Sequence, residues 1–197
     1  RAFNYSFRLN VRRGLLAESL DGRGFKGFLR LVRGRFERLR YGHRINFILA
    51  IGHLGVSWYR ACGFAANKVF PYGYFVARPP LSESTPRTPL FVLTYVGQLR
   101  VFKGVDVALR ALSKLRDEQF EFRIVGDGPE RRSLEDMAVN LRLANRVVFL
   151  GAQSHVDACR SIANSDLVVL PSRRDGWGVV VNESLLQGVP VLCSTAA

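Results

Sequence analysis

The sequence of 197 residues is 48% hydrophobic and 23% charged, which supplies enough apolar material for one or two folded domains and excludes a disordered chain. Its net charge of +13 is lopsided: residues 1–90 hold 16 Lys/Arg against 4 Asp/Glu, whereas residues 91–197 hold 13 against 12. Cys62, Cys159 and Cys193 lie too far apart for CxxC or zinc-ligand spacing, so no metal or disulfide framework is implied and a reducing compartment fits.

The chain starts at Arg1, and residues 194–197 run on directly from an apolar stretch, so an internal piece of a longer protein is expected. Residues 1–20 lack the apolar core of a signal peptide. A basic helix is predicted over 27–41, with Phe28, Leu29, Leu31, Val32, Phe36 and Leu39 as its apolar members. Residues 44–52 read as a strand, 54–62 as a short helix, and 68–76 as a strand broken at Pro71. The best apolar stretch, 45–58, is shorter than the roughly 18 residues a membrane span needs. Four prolines with Ser and Thr over 77–89 mark a linker, which places the domain boundary there: 1–80, a linker at 81–90, then 91–197.

From Phe91 the chain alternates. Strands are predicted over 91–97, 120–126, 146–151, 166–172 and 190–194, and helices over 105–116, 130–143, 154–164 and 180–187. In the first of these helices Val105, Ala108, Leu109, Leu112 and Leu115 share one face. Strand and helix repeated in this way mean βαβ units around a parallel sheet. Ligands of such sheets bind outside the carboxyl ends of the strands.

Three segments fall at those ends. In 171–183 (PSRRDGWGVVVNE), Gly176 and Gly178 flank Trp177, and a helix starting near Val179 aims its dipole at a negative group. Asp175 is suited to accept from sugar hydroxyls and Glu183 from a ribose, although two acids eight apart are more often solvated surface carboxylates. In 97–104 (GQLRVFKG), Arg100 and Lys103 sit beside a helix start, where a diphosphate needs cations; ordinary surface charge is the competing reading. In Gly126-Asp127-Gly128-Pro129, Pro129 suits a first helical turn. His43, His53 and His155 are scattered and are expected to be structural or surface groups.

The order and spacing of VGQLRVFKGVDVALRAL, FRIVGDGPERRSLEDMA, RVVFLG and SDLVVLPSRRDGWGVVVNESLLQGVPVLCS resemble the donor domain of family 4 glycosyltransferases over about 100 residues. The stretch ILAIGHLGVSWYRACGFAANKVFPYGYFV resembles, more weakly, the end of the acceptor domain. The resemblance implies an α/β fold of GT-B type: a Rossmann-like parallel sheet flanked by helices in the donor domain, preceded by a partial N-terminal Rossmann-like domain. It implies a retaining transfer of sugar from a nucleotide-diphosphate sugar to a glycan or lipid-linked acceptor, with no divalent metal and no other cofactor. The family's E-x7-E pair maps onto Asp175, for the transferred sugar, and Glu183, for the ribose; Lys103 maps onto the cation at the diphosphate. These three are the expected catalytic groups. Gly97, Gln98, Arg100, Gly126, Asp127, Gly128, Gly176, Trp177, Gly178 and Val179 complete the expected donor site.

Two positions depart from the family. The first acid is Asp rather than Glu, which bears on sugar preference, and Gln98 stands where an arginine is usual, leaving Arg100 as the substitute. Because a GT-B enzyme reacts between two domains, this piece alone is expected to be inactive, and a binding module without turnover is the alternative reading. The basic half suggests an anionic partner, either a membrane surface or nucleic acid. No nucleic-acid motif accompanies it, so a cytoplasmic protein peripheral to the inner membrane face is preferred.

Overall fold

The computed structural model describes residues 11–18, 20, 22–77, 89–115 and 117–195. It divides into two compact units, Arg1–Tyr74 and Phe75–Ala197. Most of the expected linker, residues 78–88, lies outside the described residues.

The first unit holds a parallel sheet of three strands in the order β1 (Gly14–Ala17), β2 (Phe47–Ile51), β3 (Val69–Tyr72). Helix α1 (Gly24–Tyr41) joins β1 to β2, and α2 (Gly52–Ala61) joins β2 to β3. Ile45, Ile48, Ala50 and Val69 form its core, with Val56, Tyr59 and Phe64 packed against them. Strand β1 has no counterpart among the predicted elements: four residues with no turn residue before them carry too little periodicity. Pro71 does not break β3. It pairs with Ala50 inside the strand, which the edge position of β3 permits because a proline there has an outward side that needs no ladder donor.

The second unit is a five-stranded parallel sheet ordered β6-β5-β4-β7-β8: β4 is Phe91–Val96, β5 Phe120–Val125, β6 Val147–Gly151, β7 Leu167–Leu170 and β8 Val191–Cys193. Helices α3 (Val105–Leu112), α4 (Arg131–Asn140), α5 (His155–Ala163) and α6 (Val179–Leu186) connect them in turn. Each predicted strand and helix of this half is present, with trimmed ends. Val105, Ala108, Leu109 and Leu112 are buried as expected, but α3 stops at Leu112 and leaves Leu115 exposed. There the Ser113 hydroxyl donates back to the Arg110 carbonyl, a local bond that competes with continued helix. Pro129 falls in the turn just before α4 rather than inside it.

The strand order reverses between β4 and β7. This junction is pinned by a buried Thr94–Ser165 hydroxyl pair at 2.6 Å and by the Val92 N–H donating to Asp166 Oδ2 at 2.8 Å. Tyr95, Leu99, Leu109, Phe122 and Ile124 are fully enclosed around it. Such a reversal opens a crevice at the carboxyl ends of the two strands.

Candidate functional site

The loops leaving β4, β5 and β7 are laced together by backbone bonds. Leu99 N–H donates to the Asp127 carbonyl at 2.9 Å, Glu130 N–H to the Leu99 carbonyl at 3.1 Å, and Arg173 N–H to the Phe102 carbonyl at 2.8 Å. Glycine makes this approach feasible. A Cβ on Gly126 would lie 1.9 Å from the Gly97 carbonyl oxygen, and one on Gly104 would lie 2.1 Å from that of Pro171. The N–H groups of Gly97, Gly126, Gly128 and Gly176 donate within the protein, to the Val125 and Gly151 carbonyls and to the Asp127 and Asp175 carboxylates. What Gly126 and Gly104 supply is room for loop against loop.

Lacing delivers Lys103 to Asp175. Lys103 closes the 3-10 turn Val101–Lys103 after β4, and Asp175 lies in the loop after β7, so the pair spans the reversal of strand order. Lys103 Nζ donates to Asp175 Oδ2 at 2.7 Å, with the side chains only 19% and 13% exposed. Ser172 Oγ donates to the same oxygen at 3.3 Å and Gly176 N–H to Oδ1 at 2.9 Å. Burial pushes the Asp175 carboxyl up, but the Lys103 hydrogen bond and charge, with the Gly176 and Ser172 donors, outweigh it and hold the group below the ordinary carboxylate range. Beneath it the Tyr95 phenol donates to the Gln98 carbonyl; burial, then the Asp175 charge, push it far above its usual range, so it stays a neutral donor.

Glu183 occupies the second turn of α6, whose first residue, Val179, follows Gly178 in the left-handed conformation. Trp177 is partly buried before that start. Glu183 is mostly buried and its Oε1 lies 3.0 Å from His155 Nε2 at the start of α5. His155 Nε2 also lies 3.6 Å from Cys159 Sγ, a thiol whose pKa is raised by burial and then by the Glu183 charge. His155 is an exposed group, and its specific partner is the carboxylate of Glu183. No sequence signal joins it to an acid 28 positions away. His43 is exposed and accepts from Arg44 Nε, as a surface group would; the side chain of His53 lies outside the described residues.

The other expected cations and acids are engaged nearby. Arg100 Nε donates to Gln98 Oε1 at 3.0 Å, which places it beside the position where the family arginine is missing. Asp127 accepts from Gly128 N–H and Arg131 Nη1 at the start of α4. A further device was not expected: Arg173 grips Asp106 through two 2.7 Å bonds and also donates to the Val101 carbonyl, clamping the β7 loop to the β4 loop. An apolar hollow of about 560 Å³ lies instead at the opening ends of β4, β5 and β7, lined by Phe91, Leu112, Phe120, Leu167 and Leu192. Its hydrocarbon walls suit no diphosphate, so the charged rim of the strand ends is the stronger candidate.

The family model for glycosyl transferases group 1 matches residues 81–197, more than half of the chain. The chain belongs to the group 1 glycosyl transferases. It is 33% identical over 134 residues to glycogen synthase of Mycobacterium tuberculosis, covering 67% of this chain and 32% of that protein. It is 33% identical over 102 residues to N-acetyl-alpha-D-glucosaminyl L-malate synthase of Bacillus anthracis, covering 51% of this chain and 26% of that one. The chain thus spans about a third or less of these curated relatives. Among solved structures, Anabaena HepE in complex with UDP aligns with 100% of this chain and 57% of its own at a TM-score of 0.79 and 21% identity. WaaG, a glycosyltransferase involved in lipopolysaccharide biosynthesis, aligns with 100% and 63% at 0.68 and 20% identity. The fold of this group 1 chain is therefore of the GT-B type, an α/β architecture of helix-flanked parallel sheets. Among the described residues no helix is long and apolar enough to cross a membrane.

Proposed function

We propose that the protein transfers a sugar from a nucleotide-diphosphate sugar to a glycan or lipid-linked acceptor with retention of anomeric configuration. In this transfer the bond from the sugar C1 to the diphosphate oxygen breaks, one from C1 to an acceptor hydroxyl oxygen forms, and the hydroxyl proton passes to the departing diphosphate. Negative charge grows on the departing diphosphate, and fixed cations beside it lower the barrier. Lys103 and Arg100 supply them without a divalent metal, the amino end of α6 adds its dipole, Asp175 holds the sugar hydroxyls and Glu183 the ribose. The carrying observation is the Lys103–Asp175 pair at 2.7 Å across the reversal of strand order, where a sheet of this kind binds its ligand. Arrival of the donor separates the two: the diphosphate takes Lys103 and the sugar takes Asp175. In support, a neighbour of the same fold was solved with UDP-glucose bound. The setting proposed for this activity is cytoplasmic, peripheral to the inner membrane face through the basic half.

The test is a donor screen on the full-length protein, scored by release of nucleoside diphosphate, with the product anomer read by NMR. Release with one nucleotide sugar, and its loss in Lys103→Met and Asp175→Asn, is the expected result. Donor binding with no release would favour a module without turnover, and inversion at C1 would remove the retaining chemistry.

A further inference from the structure

The Lys103–Asp175 pair resists one ligand more than another. A carboxylate has room for about four hydrogen bonds. In Asp175 three are taken: Lys103 and Ser172 donate to Oδ2 at 2.7 and 3.3 Å, and the Gly176 N–H donates to Oδ1 at 2.9 Å. Of these donors Lys103 alone is charged. Without it, the burial that pushes the carboxyl up is opposed by two neutral donors. Neighbouring groups are already committed, the Tyr95 phenol to the Gln98 carbonyl at 2.9 Å and Arg173 to Asp106 through two 2.7 Å bonds. Neither stands in for the lysine.

A diphosphate that draws Lys103 away therefore strands a carboxylate that is only 13% exposed, and sets its own negative charges beside it. A nucleotide sugar brings the remedy, because its sugar hydroxyls donate to the vacated oxygen. A nucleoside diphosphate alone brings none.

We propose that the Lys103–Asp175 pair is a product-ejecting latch: it opens for a nucleotide sugar and closes again against the nucleoside diphosphate once the sugar has left. This inference rests on the donor reading given above and adds which of two ligands with the same diphosphate the site retains. The discrimination needs no contact that tells the two diphosphates apart. It is a coupling between sugar and diphosphate, carried by one lysine that serves either the ligand or the carboxylate. By reciprocity, free sugar tightens diphosphate binding as much as diphosphate tightens sugar binding.

The experiment titrates the full-length protein calorimetrically with UDP, with GDP, and with the nucleotide sugar that the donor screen selects. The diphosphate titrations are repeated in excess free sugar of the same kind. Wild type should bind the nucleotide sugar about ten-fold more tightly than its diphosphate, and free sugar should tighten the diphosphate about five-fold. Asp175→Asn keeps the shape and removes the charge that holds Lys103 back. Folded by circular dichroism at the assay temperature, it should bind the diphosphate about five-fold more tightly than wild type and lose the sugar effect. A residue that merely supported the loop would weaken binding when replaced, so the sign of the change separates the two roles. Ser172→Ala should move the other way, about two-fold weaker, because the stranded carboxylate loses a donor. Diphosphate binding that is unchanged or weaker in folded Asp175→Asn overturns the latch. If that variant does not fold, the wild-type sugar effect decides, and its absence overturns the latch. In both cases sugar transfer by wild type leaves the donor reading standing. A wild type that binds neither UDP nor GDP overturns both.

Discussion

Lys103 and Asp175 stand 72 positions apart in the chain and 2.7 Å apart in space, with both side chains largely out of water. Each neutralises the other in a position that is costly for either charge alone. Removing one partner therefore leaves an uncompensated charge in a half-dry site.

The first prediction concerns acid. Asp175 ionises below its ordinary range, so its ionised form favours the folded state. That contribution is fully present above the unfolded value near pH ~4 and is lost as pH falls through the lower folded value. Asp175→Asn should unfold more readily than wild type in urea at pH 7, and the two should converge below about pH 4. At neutral pH, Lys103→Met should cost about 1–3 kcal/mol. A difference between wild type and Asp175→Asn that persists unchanged at pH 3 would contradict the pairing.

The second prediction separates crowding from backbone conformation. Gly126→Ala meets the Gly97 carbonyl at 1.9 Å and should cost about 3 kcal/mol or more. Gly188 has a φ of +74° but nothing within 4 Å of a Cβ, so Gly188→Ala should cost only about 1–2 kcal/mol. Chemical denaturation of the two variants decides it; equal losses would mean that the loops do not touch as described.

Third, His155 should act through Glu183, the group proposed to hold the ribose, which it meets at 3.0 Å. In the full-length protein His155→Ala should weaken UDP or GDP binding about three- to ten-fold, the worth of one hydrogen bond. Its melting temperature should stay put, because the imidazole is 66% exposed. Glu183→Ala should lose more. Calorimetric titration reads both, and full affinity in His155→Ala would show that the contact positions nothing.

Fourth, the Arg173 fork on Asp106 holds the β7 loop. Asp106 is kept below its usual range first by that hydrogen bond, against burial. Arg173→Lys retains the charge and loses the two-bond geometry, which should cost about 0.5–1 kcal/mol after solvent screening. Amides 173–178 should exchange hydrogen faster, while those of β4 remain protected. Unchanged exchange in the loop would dismiss the clamp.

The second unit was almost wholly legible from its residues, because short apolar runs and helical faces report burial directly. Leu115 was misplaced because its spacing suits a helix that Ser113 ends. In the first unit β1 and the unbroken β3 escaped, since four residues give no period and the effect of Pro71 depends on whether its strand is at an edge. Of the site, Lys103, Asp175 and Glu183 were named from motif order. Ser172, Tyr95, His155 and the Arg173–Asp106 clamp were not: His155 and Arg173 meet partners 28 and 67 positions away, while Ser172 and Tyr95, bonded only three positions on, owe their place to burial that local spacing does not report.

The residues by themselves determined the strands and helices of the second unit, which groups carry charge, and the family to which the order of motifs belongs. These follow from local periodicity and residue chemistry. Only the tertiary structure decided that β7 lies beside β4, and hence that Lys103 meets Asp175 and that the glycines make room for neighbouring loops. Strand order and loop lacing are set by long-range packing, which nearest neighbours in sequence do not encode.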